Sequence, residues 1–275
     1  MNTDLKTGGL KGKVKSVKQQ FYDAHDSSGI MVLYTKNRTG ELFNGKYCEY
    51  YLQQYDEKGN IIVNIDYLQT DSIGRKTTYK YDANGNLIEL ISAENYTYDT
   101  NKTILIYDKN NNCIEENHYY SKDWLDTQIV TLYNKYRFKY DEKGNEIEEK
   151  KFNYYDSASD SSVYYYKYDE KGRITEMNTP YPIGSTTKYK YDKKGNRIEE
   201  CIIDPMYSFT CAVTQWKYDS LGNATEAIWY NYEGKIYYDL KYEYEYDKHG
   251  NCIKKTQYDN GKLQIIYMRE IEYYQ

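Results

Sequence analysis

Tyr189-Lys190-Tyr191-Asp192-Lys193-Lys194-Gly195-Asn196-Arg197-Ile198-Glu199-Glu200 is the stretch that decides the fold. Before the turn, aromatics alternate with lysine, the period of two that marks a strand. Asp192 sits where a type I turn wants an acceptor, and Gly195 supplies the left-handed conformation that ends such a turn. Tyr and Ile on either side are good strand formers. The stretch reads as a β-hairpin tip. A four-residue loop pairs Tyr191 with Asn196 and sets Tyr189 opposite Ile198, leaving Lys190, Arg197 and Glu199 on the other face. If Gly195 sits in a bulge instead, Asp192 pairs with Asn196 and Ile198 moves to the lysine face. The first register is preferred because it gathers the apolar groups on one side.

The same phrase, Tyr-Asp-x-x-Gly-Asn, begins at Tyr55, Tyr81, Tyr107, Tyr140, Tyr168, Tyr191, Tyr218 and Tyr246, at intervals of 23 to 33 residues. Two copies are imperfect, with Asn111 in the Gly slot and Arg173 in the Asn slot. A near-fixed period of this size marks a repeat architecture. Between tips the chain must turn back, and return turns are readable at Asp71–Gly74, Pro180–Gly184, Asn231–Gly234 and Asp259–Gly261. Longer return loops are expected after Tyr107 and around Asp156–Ser162. The fold expected is therefore all-β: an antiparallel β-meander of tandem hairpin repeats forming a long curved or spiralling open sheet. Residues 55–275 form one continuous repeat array, and residues 1–54 an irregular β capping region with turn signals at Asp26–Gly29 and Asn44-Gly45. Ile271-Glu272-Tyr273-Tyr274 reads like the strand before one more tip.

Composition agrees with a thin sheet. The chain holds 39 Tyr in 275 residues, yet hydrophobic residues reach only 39%. A thick aliphatic core is out of reach, whereas Tyr offers a large ring and keeps its hydroxyl for a polar partner. The net charge of −5 is spread without a basic stripe, which argues against a nucleic-acid partner. Mixed runs such as Glu146–Lys151 read as a solvated face with cross-strand ion pairs. No run of 18 apolar residues exists, so no transmembrane segment is expected, and no signal peptide is legible in Met1–Ser16.

The five cysteines form no metal spacing. Cys113 and Cys252 take the slot filled elsewhere by Ile61 or Leu87 and read as small apolar fillers. Cys201 and Cys211 flank a turn at Asp204–Tyr207 and stand within reach of each other across a hairpin, but the odd count favours free thiols. The histidines are scattered, and His249 falls in a tip slot held elsewhere by Lys58 or Lys143. No nucleophile, phosphate-loop or metal motif appears, and each turn Asp is best read as a cap on turn amides. No catalytic residue, metal or cofactor is expected. The feature with functional promise is the aromatic ladder: Tyr166, Tyr168, Tyr189, Tyr191, Trp216, Tyr218, Tyr244 and Tyr246 are the candidate binding residues. Such rings stack on sugars or grip an extended peptide; they also pack on one another to hold a single-layer sheet.

Tyr79-Lys80-Tyr81-Asp82-Ala83-Asn84-Gly85-Asn86-Leu87 resembles the YD repeats of the RHS family, and the likeness extends from Tyr55 to the end of the chain. Leu10–Val17 also looks like the opening of small YD-repeat proteins of bacterial envelopes. The resemblance implies long coiling β-sheets and a bacterial envelope or extracellular setting, with a cytoplasmic one not excluded. Asn stands where the long shell proteins of that family usually carry Arg, and the chain is too short for a cargo cage. The expected function is a non-catalytic interaction protein that contacts glycan or protein through its Tyr-rich face. A dedicated protein partner, such as an immunity protein or assembly scaffold using a sheet edge, is the alternative.

Overall fold

A computed structural model describes residues 10–23, 48–68, 72–95, 99–121, 131–154, 162–179, 184–207 and 211–275. The turns expected at 26–29 and 44–45, and most of the long return loops, fall outside those residues. Eighteen strands follow in order. They are β1 (Val14–Asp23), β2 (Cys48–Tyr55), β3 (Ile61–Leu68), β4 (Ile73–Tyr81), β5 (Leu87–Glu94), β6 (Thr100–Tyr107), β7 (Cys113–Ser121), β8 (Thr131–Tyr140) and β9 (Glu146–Asn153). The second half comprises β10 (Ser162–Tyr168), β11 (Ile174–Asn178), β12 (Thr186–Tyr191), β13 (Arg197–Ile203), β14 (Cys211–Tyr218), β15 (Ala224–Tyr230), β16 (Ile236–Tyr246), β17 (Cys252–Asp259) and β18 (Lys262–Tyr273).

Each strand pairs antiparallel with its sequence neighbours, and β1 pairs with both β2 and β18. The meander is therefore not an open or spiralling sheet. It closes into an 18-stranded barrel. From hairpin to hairpin the register mostly climbs by two residues: Glu89, beside one tip, lies opposite Ile104, three residues from the next. A stagger of one sense tilts strands by roughly 35–45° and brings the sheet round on itself. At this strand number side chains cannot fill the interior, so a lumen remains.

The tips are as expected in kind but not in register. Asp192 N–H donates to the Asn196 carbonyl at 2.9 Å, and Gly195 has φ +98°. Tyr191 then faces Arg197, Lys190 faces Glu199 and Tyr189 faces Glu200, with Ile198 as an extra residue in a second bulge. The glycine bulge and this second bulge together displace the preferred register. Arg197 accordingly sits on the tyrosine face, its guanidinium 4.4 Å from the centre of the Tyr189 ring, and Ile198 is left out of the apolar side. The turn aspartate does cap amides. Asp56 Oδ1 accepts from the N–H groups of Lys58 and Asn60 at 2.9 Å, while Asn60 Nδ2 donates to Asp56 Oδ2 at 3.0 Å. Arg173, standing in the Asn slot, makes the same clamp through Nε to Asp169 Oδ2 at 2.7 Å.

The ring is closed by a ninth tip split between distant parts of the chain. Tyr274 N–H donates to the Lys13 carbonyl at 2.8 Å, Gly12 has φ +84°, Val14 faces Tyr273, and Lys15 is the bulged residue before Ser16 meets Glu272. In register and in the closing Tyr274–Lys13 bond this matches the Tyr191–Arg197 tip, where Asp192 bonds Asn196 in the same way. The most buried apolar cluster lies here: Val14, Val17, Tyr55 and Ile61, with Leu10, Tyr79, Ile271 and Tyr273 packed on it.

The two faces are told apart by neighbours of like kind. Leu105 is 8% exposed and the next residue, Ile106, 42%. Side chains converge inside a closed sheet and fan apart outside, so the Leu105 face, which carries the repeat tyrosines, is the inner one. The outer face carries cross-strand pairs beside the tips: Lys80–Glu89, Lys139–Glu148, Lys167–Glu176, Lys190–Glu199 and Glu245–Lys254 at 2.5–2.7 Å, and Lys217–Glu226. That is the reverse of the apolar band by which a barrel meets lipid. Also outside, Cys201 and Cys211 are joined in a disulfide, Cα–Cα 5.6 Å, rather than free. The register explains it: Ile203 faces Cys211 and Cys201 faces Val213, so the two thiols are diagonal neighbours on one face.

Candidate functional site

Two tiers of large side chains line the inner face next to the tips. The first comprises the tyrosines of the repeated phrase. The second lies two residues earlier in each strand and includes Tyr79, Phe138, Tyr166, Tyr189, Trp216 and Tyr244. The first tier is stitched from copy to copy. The hydroxyls of Tyr81, Tyr107, Tyr140, Tyr168, Tyr191 and Tyr218 donate to the carbonyls of Ile61, Leu87, Cys113, Glu146, Ile174 and Arg197, at 2.6–2.8 Å. Each acceptor lies just past the previous turn, so every rung ties one hairpin to the next. Burial raises the Tyr107 and Tyr168 hydroxyls to about 12, with neighbouring acidic groups adding to the shift. They remain protonated donors at any physiological pH.

All eight candidate binding residues fall on this inner face. Tyr168, Tyr191 and Tyr218 are rungs, and Tyr244 donates to the Ala224 carbonyl at 2.7 Å. Tyr166 donates to Glu149 Oε2 at 3.2 Å, and the Tyr246 hydroxyl accepts from Asn223 Nδ2 at 2.7 Å. Tyr189 lies under Arg197, and Trp216 faces the small Ala227. The hydroxyls of six of the eight thus hold the barrel together, and what they present to the lumen is ring surface.

Among the inner-face charges Glu146 escapes a reading of the sequence, because the preferred register puts the slot after the turn Asn on the lysine face. On β7 and β9, Glu116, Glu146 and Glu149 face inward. Burial, then the nearby Glu149, raises Glu146 to about 7. Burial likewise raises Glu149. Half the ring away, on β17 and β18, Lys255 and Arg269 face inward. The Lys255 ammonium lies 4.2 Å from the centre of the Tyr242 ring, 5.5 Å from that of Tyr267 and 6.0 Å from that of Tyr244. Arg269 Nε donates to Gln19 Oε1 at 2.6 Å. Burial lowers the Lys255 pKa. A cavity of about 270 Å³ opens beside the two cations, lined also by Gln19, Asn223, Tyr244 and Tyr267. The sequence signal for Glu146 is its position in the slot of Ile61 and Leu87, and the structure sets Lys255 opposite Tyr244.

The family resemblance holds: residues 55–97, which carry the tips at Tyr55 and Tyr81, match the RHS Repeat family model. No curated protein matches the chain. Among solved structures, a Photorhabdus luminescens Tc holotoxin pore is 12% identical with a TM-score of 0.28, over 77% of this chain and 15% of that one. A TcdB2-TccC3-Cdc42 structure is likewise 12% identical, with a TM-score of 0.28, over 76% of this chain and 11% of that one. A porin-like protein from Bacteroides uniformis is 9% identical with a TM-score of 0.45, over 96% of this chain and 98% of that one. This chain spans about a seventh or less of the length of the two Tc chains.

Proposed function

We propose that the protein is a non-catalytic binding barrel of the bacterial envelope or exterior, which holds an extended ligand, glycan or peptide, against its inner tyrosine face. The observation that carries this reading is the anchoring of the tyrosine hydroxyls on backbone carbonyls. Rings held that way lose little freedom when a ligand stacks on them, and preorganisation of this kind favours affinity. The Cys201–Cys211 disulfide supports an oxidising compartment. The alternative, a partner added along a sheet edge, loses its surface, because every strand is paired on both sides. Catalysis has little support from the repeat aspartates, whose oxygens are committed to the turn amides.

The test uses Trp216 as a reporter, with Trp124 and Trp229 changed to Phe. Glycan and peptide arrays first identify a binder. That binder is expected to shield Trp216 from acrylamide, and Tyr189→Ser with Trp216→Ala should remove binding while circular dichroism keeps its strand signature. A binder that leaves Trp216 fully quenchable would place recognition outside the lumen and refute the reading.

A further inference from the structure

We propose that Lys255 and Arg269 form an oxyanion-binding site on the inner wall, which takes the carboxylate or phosphate group of a ligand lying against the tyrosine face. The inference rests on the lumen reading above and adds the ligand chemistry that reading leaves open.

Elsewhere beside the tips, lysines are answered. Lys80, Lys139, Lys167, Lys190 and Lys217 each face a glutamate on the adjoining strand, and inward-facing Arg75 is paired with Asp66 at 2.8 Å. Lys255 and Arg269 break that pattern. They share the inner face of adjacent strands, and no ion pair holds either of them among the described residues. Two like charges placed together on a half-buried face are unfavourable without a counter-charge.

What surrounds them suits an anion. Three tyrosine rings hold the Lys255 ammonium by their faces, which fixes the cation without neutralising it. Gln19 takes Arg269 Nε and steadies the guanidinium, leaving its other N–H donors for the fork geometry that carboxylates and phosphates accept. The neighbouring cavity of about 270 Å³ has room for an anionic group with a ring attached. Burial already lowers the Lys255 pKa, and a bound anion would reverse that shift. The remainder of the lumen favours the same wall. Glu116, Glu146 and Glu149 stand across the ring with a single inward lysine, Lys151, among them, so that wall is the less favourable one for an anion.

Three probes test this: inorganic phosphate, trigalacturonate and the neutral trisaccharide maltotriose. Titrating phosphate into the intact protein should shift the Lys255 side-chain nitrogen resonance, and trigalacturonate should bind at least tenfold more tightly than maltotriose by calorimetry. Lys255→Gln or Arg269→Gln should erase that preference, while Lys217→Gln, which removes an equal charge from the outer face, should leave it intact. A Lys255 resonance unmoved by phosphate would overturn the site, and it needs no variant to fold. Preference for trigalacturonate that survives Lys255→Gln would overturn it as well. Phosphate binding with neither trisaccharide bound would uphold the site and refute the glycan form of the lumen reading.

Discussion

The tip at Tyr191–Arg197 and the seam at Tyr273–Val14 have one backbone pattern and two different supports. In the continuous tip the chain itself joins the strands, and Asn196 Nδ2 clamps Asp192 Oδ2 at 2.8 Å. At the seam nothing covalent spans the turn, Tyr274 stands in the Asp slot and Lys13 in the Asn slot. The eighth tip lends its own clamp. Asn251 Oδ1 accepts from Lys11 N–H at 2.5 Å, and Asn251 Nδ2 donates to the Lys11 carbonyl at 2.8 Å and to the Tyr273 hydroxyl at 2.7 Å. The Tyr273 hydroxyl in turn donates to Asp247, and the His249 ring lies 4.2 Å from that of Tyr273. The barrel is thus a ring of nine equivalent tips, and where the loop is missing, side chains and apolar burial take its place.

If burial holds the seam, charging it should do more harm than charging the same slot elsewhere. Val14 and Leu87 both follow the residue in the Asn slot and both point inward, at 0% and 6% exposure. Val14→Asp leaves an unpaired carboxylate where no loop keeps β1 beside β18. It should lower unfolding stability by on the order of 4 kcal/mol and strip hydrogen-exchange protection from both strands. Leu87→Asp should cost less and leave β4 and β5 paired through their turn. Equal losses in urea titrations of the two variants would show the seam to be no weaker than a continuous tip.

A second contrast compares asparagines. Asn86 clamps its own turn and also reaches Asn111 Oδ1 at 3.0 Å, from a partly exposed position. Asn251 is 1% exposed and serves two chain segments at once. Removing a fully buried hub strands several partners, so Asn251→Ala should cost about 2–3 kcal/mol against about 1 kcal/mol for Asn86→Ala. The denaturation midpoints of the pair settle it, and a reversed order would mean that Asn251 is not what holds the closure.

The sequence is readable at the continuous tips and stops being so at the seam. The eight continuous tips are legible because Asp, Gly and Asn each have a stereochemical task in a short window. The period-two spacing likewise sets Tyr166 to Tyr246 on one face. Closure is not legible, because Lys11-Gly12-Lys13-Val14 and Tyr273-Tyr274 each keep half the phrase and neither keeps its Asp or Asn. Only the pairing of β1 with β18 reveals them as one copy. The register failed for a local reason, two bulges in succession at Gly195 and Ile198, and with it went the inner positions of Arg197 and Glu146, whereas three residues further on the second bulge restores the face that the preferred register gives Lys255.

Glu146 offers the finest test, because it occupies in a continuous copy the slot that Val14 fills at the seam. Burial raises its pKa to about 7, above the value of about 4.3 expected in an unfolded chain. The sign follows. As pH rises from 4 the unfolded chain ionises first, so the folded state loses stability until about pH 7, and the whole penalty persists above that. Glu146→Gln removes the ionisation. The variant should match the parent near pH 4 and exceed it at pH 8 by about 1 kcal/mol, after allowing for screening by water in the lumen. Thermal melts at the two pH values measure the difference. A gain present equally at both would mean that the substitution acts by packing. No gain at either would place Glu146 in open solvent and take the acidic wall out of the lumen's field. A gain at pH 8 alone would show that the slot after the turn is an inner one around the ring, filled with carbon where the chain must hold itself closed and open to charge where a loop already does so.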